Sequence, residues 1–181
     1  AERSRDLEET ERLSVLVATL CHDLGKNLTP EGRLPSHPGH EGSGLPLVDR
    51  LLDRLPGLTD QSGRRLAKLV CALHLSVRQF DQMRAGTIAE HYEKHYRGKD
   101  FPLRAFALSL GADVGGRLDM EEEGDRVRAQ VERDLTTIRD AASAVDAGAL
   151  RQQFPEVDAF RTALHQERAR AIAAAMRNPS V

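Results

Sequence analysis

Apolar residues in this chain recur at intervals of three and four, segment after segment, and no other feature constrains the fold as strongly. Leu13, Leu16, Val17 and Leu20 make one stripe, Leu45, Val48, Leu51, Leu52 and Leu55 a second, and Leu66, Leu69, Val70, Leu73 and Val77 a third. Val127, Val131, Leu135, Ile138, Ala142 and Val145 repeat the pattern, as do Val157, Phe160, Leu164 and Ile172. One face of an α-helix has this period, whereas a half-buried strand alternates at every second residue. No alternating segment is long enough to argue a strand, and the scarcity of aromatics (5 Phe, 2 Tyr, no Trp) points the same way. The expectation is an all-α fold.

The pattern predicts helices over about 7–20 and 41–55, a third capped by Asp60, a short one over 84–92 and one over 102–117. A long helix over 125–145 and a last one beyond Pro155 complete the set. Glu121, Glu122 and Glu123 read as a solvated loop, and the stretch with His95, Arg97 and Lys99 as a basic linker. At 181 residues, 40% of them apolar, the chain can bury a real core. A net charge of -2 gives no global nucleic-acid signature, so an RNA contact would need a local patch. With no apolar run of about 18 residues and no signal-peptide core, the chain reads as cytoplasmic, without a membrane partner. Cys21 and Cys71 lie in apolar helical stretches and read as small core residues. The chain opens at Ala1 in ordinary domain sequence, so it reads as a piece of a longer polypeptide.

The chemistry concentrates between Leu20 and Asp113. His22 and Asp23 are adjacent at the end of the first apolar helix, and Gly25 is read as permitting the sharp exit that opens that end. Neighbours on a helix normally diverge, but at a helix end an imidazole and a carboxylate can converge on one cation. His37, His40, His74 and Asp113 follow, a mixed nitrogen and oxygen set suited to Zn, Fe, Ni, Mn or Mg. The competing explanation for His22 is a histidine capping its own helix terminus, which leaves Asp23 without a job. Asp113 lies in an apolar stretch, where a carboxylate needs a cation or close donors. Arg117, one turn on, is read as its i,i+4 partner or as a substrate contact. Lys26 is placed to neutralise phosphate as a point charge, and His37 to contact phosphate or move a proton.

These residues carry a recognisable pattern. The chain resembles the HD superfamily of metal-dependent phosphohydrolases and, more narrowly, the C-terminal HD-containing part of bacterial CCA-adding enzymes (tRNA nucleotidyltransferases). The resemblance rests on Leu20-Cys-His-Asp-Leu-Gly-Lys26, Ser36-His-Pro-Gly-His-Glu41, Gly44-Leu-Pro-Leu-Val48, Leu69-Val-Cys-Ala-Leu-His74 and Gly111-Ala-Asp-Val-Gly-Gly-Arg117. It continues weakly into Phe154–Arg161 and Arg168–Ile172.

The resemblance implies an HD helical bundle over 1–120 and a C-terminal helical extension over 121–181, similar to the elements that carry tRNA. It places His22, Asp23, His40, His74 and Asp113 on metal positions. The residues themselves point to Ni, Mn, Mg or Zn as the ion, to Asp23, Lys26 and His37 as catalytic groups, and to Lys26, His37 and Arg117 as substrate contacts. The implied activity is hydrolysis of a 2',3'-cyclic phosphate or a phosphomonoester, on a nucleotide or a tRNA 3' end. The alternative is a non-catalytic tRNA-binding module with a degenerate site, using Arg151, Arg161, Arg168, Arg170 and Arg177. A third reading is an HD hydrolase of free nucleotides. Three departures from the family stand out: no histidine precedes His22, Pro38 follows His37, and Arg78 stands where some relatives have a further His. No Gly-Ser pair followed by Asp-x-Asp is present, so any nucleotidyltransferase head would be supplied upstream.

Overall fold

A computed structural model describes residues 7–177, and all the regular structure among them is helical. The helices are α1 (Glu9–Cys21), α2 (His40–Arg54), α3 (Gln61–Leu73), α4 (Ala85–His91), α5 (Leu103–Gly115), α6 (Glu121–Ser143), α7 (Ala147–Gln153) and α8 (Val157–Arg177). Local chemistry explains several boundaries. Asp60 Oδ1 accepts from the Gly63 amide at 2.9 Å and caps α3, and Asp146 Oδ1 does the same for α7 through the Ala149 amide at 2.9 Å. Pro102 sits at the cap of α5.

Two boundaries correct the sequence reading. Glu121, Glu122 and Glu123 form the first turn of α6 instead of a loop. Carboxylates there face the positive end of the helix dipole, which stabilises the turn. The basic stretch after α4 is a π-type turn, Tyr92–Tyr96, whose Tyr92 and Tyr96 are both buried. Two large rings with nowhere else to go outweigh the charged residues between them.

The chain separates into two compact units that alternate along the sequence. One comprises residues up to Arg78 together with Pro102–Val131, and the other comprises Gln79–Phe101 with Glu132 onward. In the first unit α1 packs along α3 and α5, and α2 along α3 and a short 3₁₀ segment, Leu24–Leu28. Its buried residues include Val15, Ala18, Cys21, Val48, Leu66, Val70, Cys71, Phe106 and Leu110.

The face that α1 buries is rotated from the expected stripe. Ser14, Val15, Val17, Ala18 and Cys21 are inside, while Leu13, Leu16 and Leu20 are exposed, Leu20 by 70%. Small residues win this face because the helices approach closely. A Cβ added at Gly63 of α3 would lie 2.5 Å from Ser14 Oγ. Both cysteines are buried and free.

In the second unit α4 packs on α8, with Ile88, Tyr96, Phe101, Leu135, Ile138 and Ile172 buried. Arg168 of α8 is also buried there, its guanidinium 3.0 Å from Glu93 Oε1 and 5.4 Å from the Tyr92 ring centre. Among the described residues, no helix is long and apolar enough to cross a membrane.

Candidate metal centre

The first unit brings three helix C-termini together. His22 is the C-cap of α1, His74 the C-cap of α3, and Asp113 lies in the last turn of α5. Helix C-termini carry partial negative charge, so their meeting point favours a cation. His40, the first residue of α2, reaches the same point. Asp23 follows His22 with φ -106 and ψ 8, which takes the chain out of α1 and into the Leu24–Leu28 segment. That departure from helical geometry is why the two neighbours, His22 and Asp23, share one target.

Gly25 has a different task from the one its position suggests. A Cβ there would lie 1.9 Å from the His40 carbonyl oxygen and 2.8 Å from the Gly44 amide nitrogen. The glycine lets two backbones touch, which fixes the start of α2 beside the His-Asp pair, and it does not act through a sharp turn.

All five candidate ligands lie in one cluster. His40 Nε2 is 3.1 Å from Asp23 Oδ1 and 3.3 Å from His74 Nε2, and His74 Nε2 is 3.7 Å from the same Asp23 oxygen. His22 Nε2 lies 3.1 Å from Asp23 Oδ2 and 3.1 Å from Asp113 Oδ1. Asp23 thus offers one oxygen to the His40–His74 side and the other to the His22–Asp113 side.

The far nitrogens of the three rings decide what these contacts mean. Nδ1 of His22 donates to the Thr19 carbonyl at 2.6 Å, Nδ1 of His40 to the His37 carbonyl at 2.7 Å, and Nδ1 of His74 to the Cys71 carbonyl at 3.1 Å. A carbonyl oxygen only accepts, so each Nδ1 carries the hydrogen, and a ring in its neutral form is left with an Nε2 lone pair turned inward. Asp23 Oδ1 is buried and has no hydrogen-bond partner. The Nε2 atoms of His40 and His74 and this oxygen all lie within 4.8 Å of one another, and with both rings in the neutral form all three are acceptors. Only a cation or a shared proton makes such an arrangement attractive, so the residues present fit a divalent metal.

The charges around the cluster are ordered. Burial opposes a charge on His22, but its hydrogen bonds to Asp113 and the Thr19 carbonyl, with the Asp113 and Asp23 charges, outweigh this and raise its pKa. Burial lowers the pKa of His74 and keeps it neutral. The His22 hydrogen bond holds Asp113 below the usual carboxylate range. For Asp23 burial acts upward, yet the Lys26 hydrogen bond and the neighbouring positive charges bring the net shift down.

The remaining candidates are placed around this core. Lys26 Nζ is 2.6 Å from Asp23 Oδ2. The His37 ring is outside the cluster, its Nδ1 2.9 Å from Thr29 Oγ1, while its carbonyl orients His40. Arg117 is exposed and acts on Asp113 only through space, so the i,i+4 ion pair is not formed. Arg78, from the 3₁₀ segment Ser76–Gln82, approaches Asp113 Oδ2 instead, at 4.0 Å. Its sequence signal was only the departure from the family's histidine.

Four of the five arginines expected to give a basic C-terminal end have local partners. Arg151 lies over the Phe160 ring at 5.3 Å, Arg161 is 3.9 Å from Asp158, and Arg170 pairs with Glu167. Arg168 is buried against Glu93 and is not available to a ligand.

Comparison with known proteins supplies the relationship. Over 174 residues the chain is 36% identical to the "Multifunctional CCA protein" of Alkalilimnicola ehrlichii, covering 92% of the chain and 39% of that protein. The protein of the same name from Paraburkholderia phytofirmans is 39% identical over 162 residues, covering 88% of the chain and 38% of its own length. The chain is homologous to part of the multifunctional CCA proteins. It spans about two fifths of the length of these curated relatives. A third, from Ralstonia nicotianae, is 36% identical over 165 residues. No protein-family model matches the chain, and no solved structure matches it significantly.

Proposed function

We propose that this chain is the HD-type, metal-dependent phosphohydrolase part of a CCA-adding-type enzyme. It would act on 2',3'-cyclic phosphates or phosphomonoesters of nucleotides or tRNA 3' ends. The observation that carries the reading is the convergence of the His40 and His74 Nε2 atoms and an orphaned carboxylate oxygen of Asp23 on one point, with His22 Nε2 on the other oxygen of that carboxylate. Residues 1–120 would form the hydrolase core and residues 121–181 the tRNA-carrying extension. The kinship with multifunctional CCA proteins supports the tRNA assignment.

His22, Asp23, His40, His74 and Asp113 would hold the ion, whether Ni, Mn, Mg or Zn. When bound, it supplies Lewis acidity toward a phosphoryl oxygen and toward water. The chain's own residues do the rest. Backbone carbonyls at Thr19, His37 and Cys71 hold the three rings in their ligating tautomer. Lys26 holds Asp23 and presents its charge to the phosphoryl group. Water adds to phosphorus and gives up a proton, the P–O bond to the leaving oxygen breaks, and that oxygen takes up a proton in its place. His37, with Nδ1 on Thr29, keeps Nε2 for that transfer.

Elemental analysis paired with hydrolysis of 2',3'-cyclic AMP and 2'-AMP across Mn, Ni, Mg and Zn tests the reading. Stoichiometric metal with turnover that Asp23→Ala abolishes is expected. A metal-free chain that stays inactive with every ion would leave the tRNA-binding module as the better account.

A further inference from the structure

The hydrolase reading leaves open which phosphate the site prefers, and the two cations around the cluster bear on that choice. Each faces the outer oxygen of a different carboxylate. Lys26 Nζ sits on Asp23 Oδ2, and Arg78 Nη1 stands 4.0 Å from Asp113 Oδ2. The other oxygens, Asp23 Oδ1 and Asp113 Oδ1, face the histidines. Both cations are partly exposed, so each has one side toward the ligand cluster and one toward solvent.

Arg78 is brought there by its neighbours in sequence. Val77, directly before it, is buried, while the Arg78 side chain remains partly exposed. At 4.0 Å its contact with Asp113 is an ion pair without hydrogen-bond distance. The donors of the guanidinium fork are therefore not committed to the carboxylate, and a fork of this kind suits the non-bridging oxygens of a phosphoryl group.

The charges give the preference its sign. The two carboxylates and the two cations cancel, and further out Arg117 and Glu41 carry opposite charges. Three neutral imidazoles and a divalent ion then leave the site with two positive charges. A phosphomonoester carries about -1.5 to -2 at neutral pH. A cyclic phosphodiester carries a single negative charge. Without Arg78 the balance would shift toward the monoanion.

We propose that Arg78 is a substrate-binding, specificity-determining residue that makes this site select dianionic phosphomonoesters over cyclic phosphodiesters. The inference rests on the hydrolase reading and adds a substrate class to it. Arg78 acts on the phosphoryl oxygens and takes no part in holding the metal.

The test compares the full chain with Arg78→Gln and Arg78→Lys, each loaded with Mn. Three quantities are read: bound Mn by elemental analysis, affinity for inorganic phosphate by calorimetry, and kcat/KM on 2'-AMP and 2',3'-cyclic AMP. Arg78→Gln should keep its Mn, yet lose about tenfold to a hundredfold in phosphate affinity and in kcat/KM on 2'-AMP, the size of one charge-assisted contact. Its kcat/KM on the cyclic substrate should fall by only about threefold to tenfold, the square root of that loss, since a monoanion feels half the attraction of a dianion. Arg78→Lys should recover part of the phosphate affinity. Equal losses on both substrates, no loss on either, or loss of Mn from Arg78→Gln would overturn the proposal. If the unsubstituted chain holds Mn but turns over neither substrate, the hydrolase reading fails and takes this inference with it.

Discussion

Asp23→Asn should change stability in opposite directions with and without metal. In the metal-free chain, Asp23 Oδ1 is a buried acceptor among acceptors, 3.1 Å from His40 Nε2 and 3.7 Å from His74 Nε2. An amide NH2 in that place becomes a donor to lone pairs already aimed at it, a gain of about 1 kcal/mol per hydrogen bond. Against this stands the lost pairing with Lys26, a partly exposed ion pair worth about 0–1 kcal/mol. The metal-free variant should therefore be as stable as the parent, or more stable by up to about 1 kcal/mol. With metal the sign reverses. At a hundredfold excess over Kd, an ion that binds only the folded state stabilises the parent by about 2.7 kcal/mol. At about 2–4 °C per kcal/mol for a chain of this size, that is a rise in Tm of about 5–10 °C. Asp23→Asn should forgo it. Thermal melts of both proteins, in EDTA and in excess Mn, read all four states. A metal-free Asp23→Asn that melts well below the parent would refute the argument, because the carboxylate would then be a structural element of the fold.

The other predictions probe what surrounds the site. Apparent metal affinity should fall with pH as His22 takes up a proton, by about tenfold per pH unit for one competing proton. Because the pKa of His22 is raised, the fall should begin above the ordinary histidine value of about 6.5, which metal titrations between pH 5 and 8.5 would reveal. Gly25→Ala should weaken metal binding together with stability, since its Cβ would lie 1.9 Å from the His40 carbonyl and must push the start of α2 away. Unchanged metal affinity would show that the contact does not position His40. Glu93→Ala should destabilise the chain by about 3 kcal/mol, because Arg168 would be left as a buried charge without its partner. Urea unfolding checks this, and a loss under about 1 kcal/mol would mean that water takes over the role of Glu93.

The periodic apolar residues made the all-α architecture legible, because helix period survives in sequence whatever the helix packs against. Which face is buried did not survive so well on α1. Hydrophobicity singled out Leu13, Leu16 and Leu20, but the close approach of α3 selects the small residues Ser14, Ala18 and Cys21. The acidic run Glu121–Glu123 looked like a solvated loop because charge density suggests solvent, whereas its position at a helix start makes the same charges stabilising.

At the site, residue type and spacing singled out five groups that the structure places within reach of one another. The partners of those groups were not readable. His40 is held by a backbone carbonyl of His37, an atom that every residue has, while the His37 ring turns to Thr29. Arg117 was the visible partner for Asp113 by helical spacing, yet the turn after α3 brings Arg78 closer from a segment 35 residues away in sequence.

The most direct test of a hydrolytic metal centre is the metal content of the purified chain, measured with its turnover of 2',3'-cyclic AMP and 2'-AMP. The account predicts bound divalent metal, turnover that EDTA removes and metal restores, and loss of both binding and turnover in Asp23→Ala while its helical circular dichroism is kept. A chain that folds, binds no divalent ion under any condition and turns over neither substrate would contradict it.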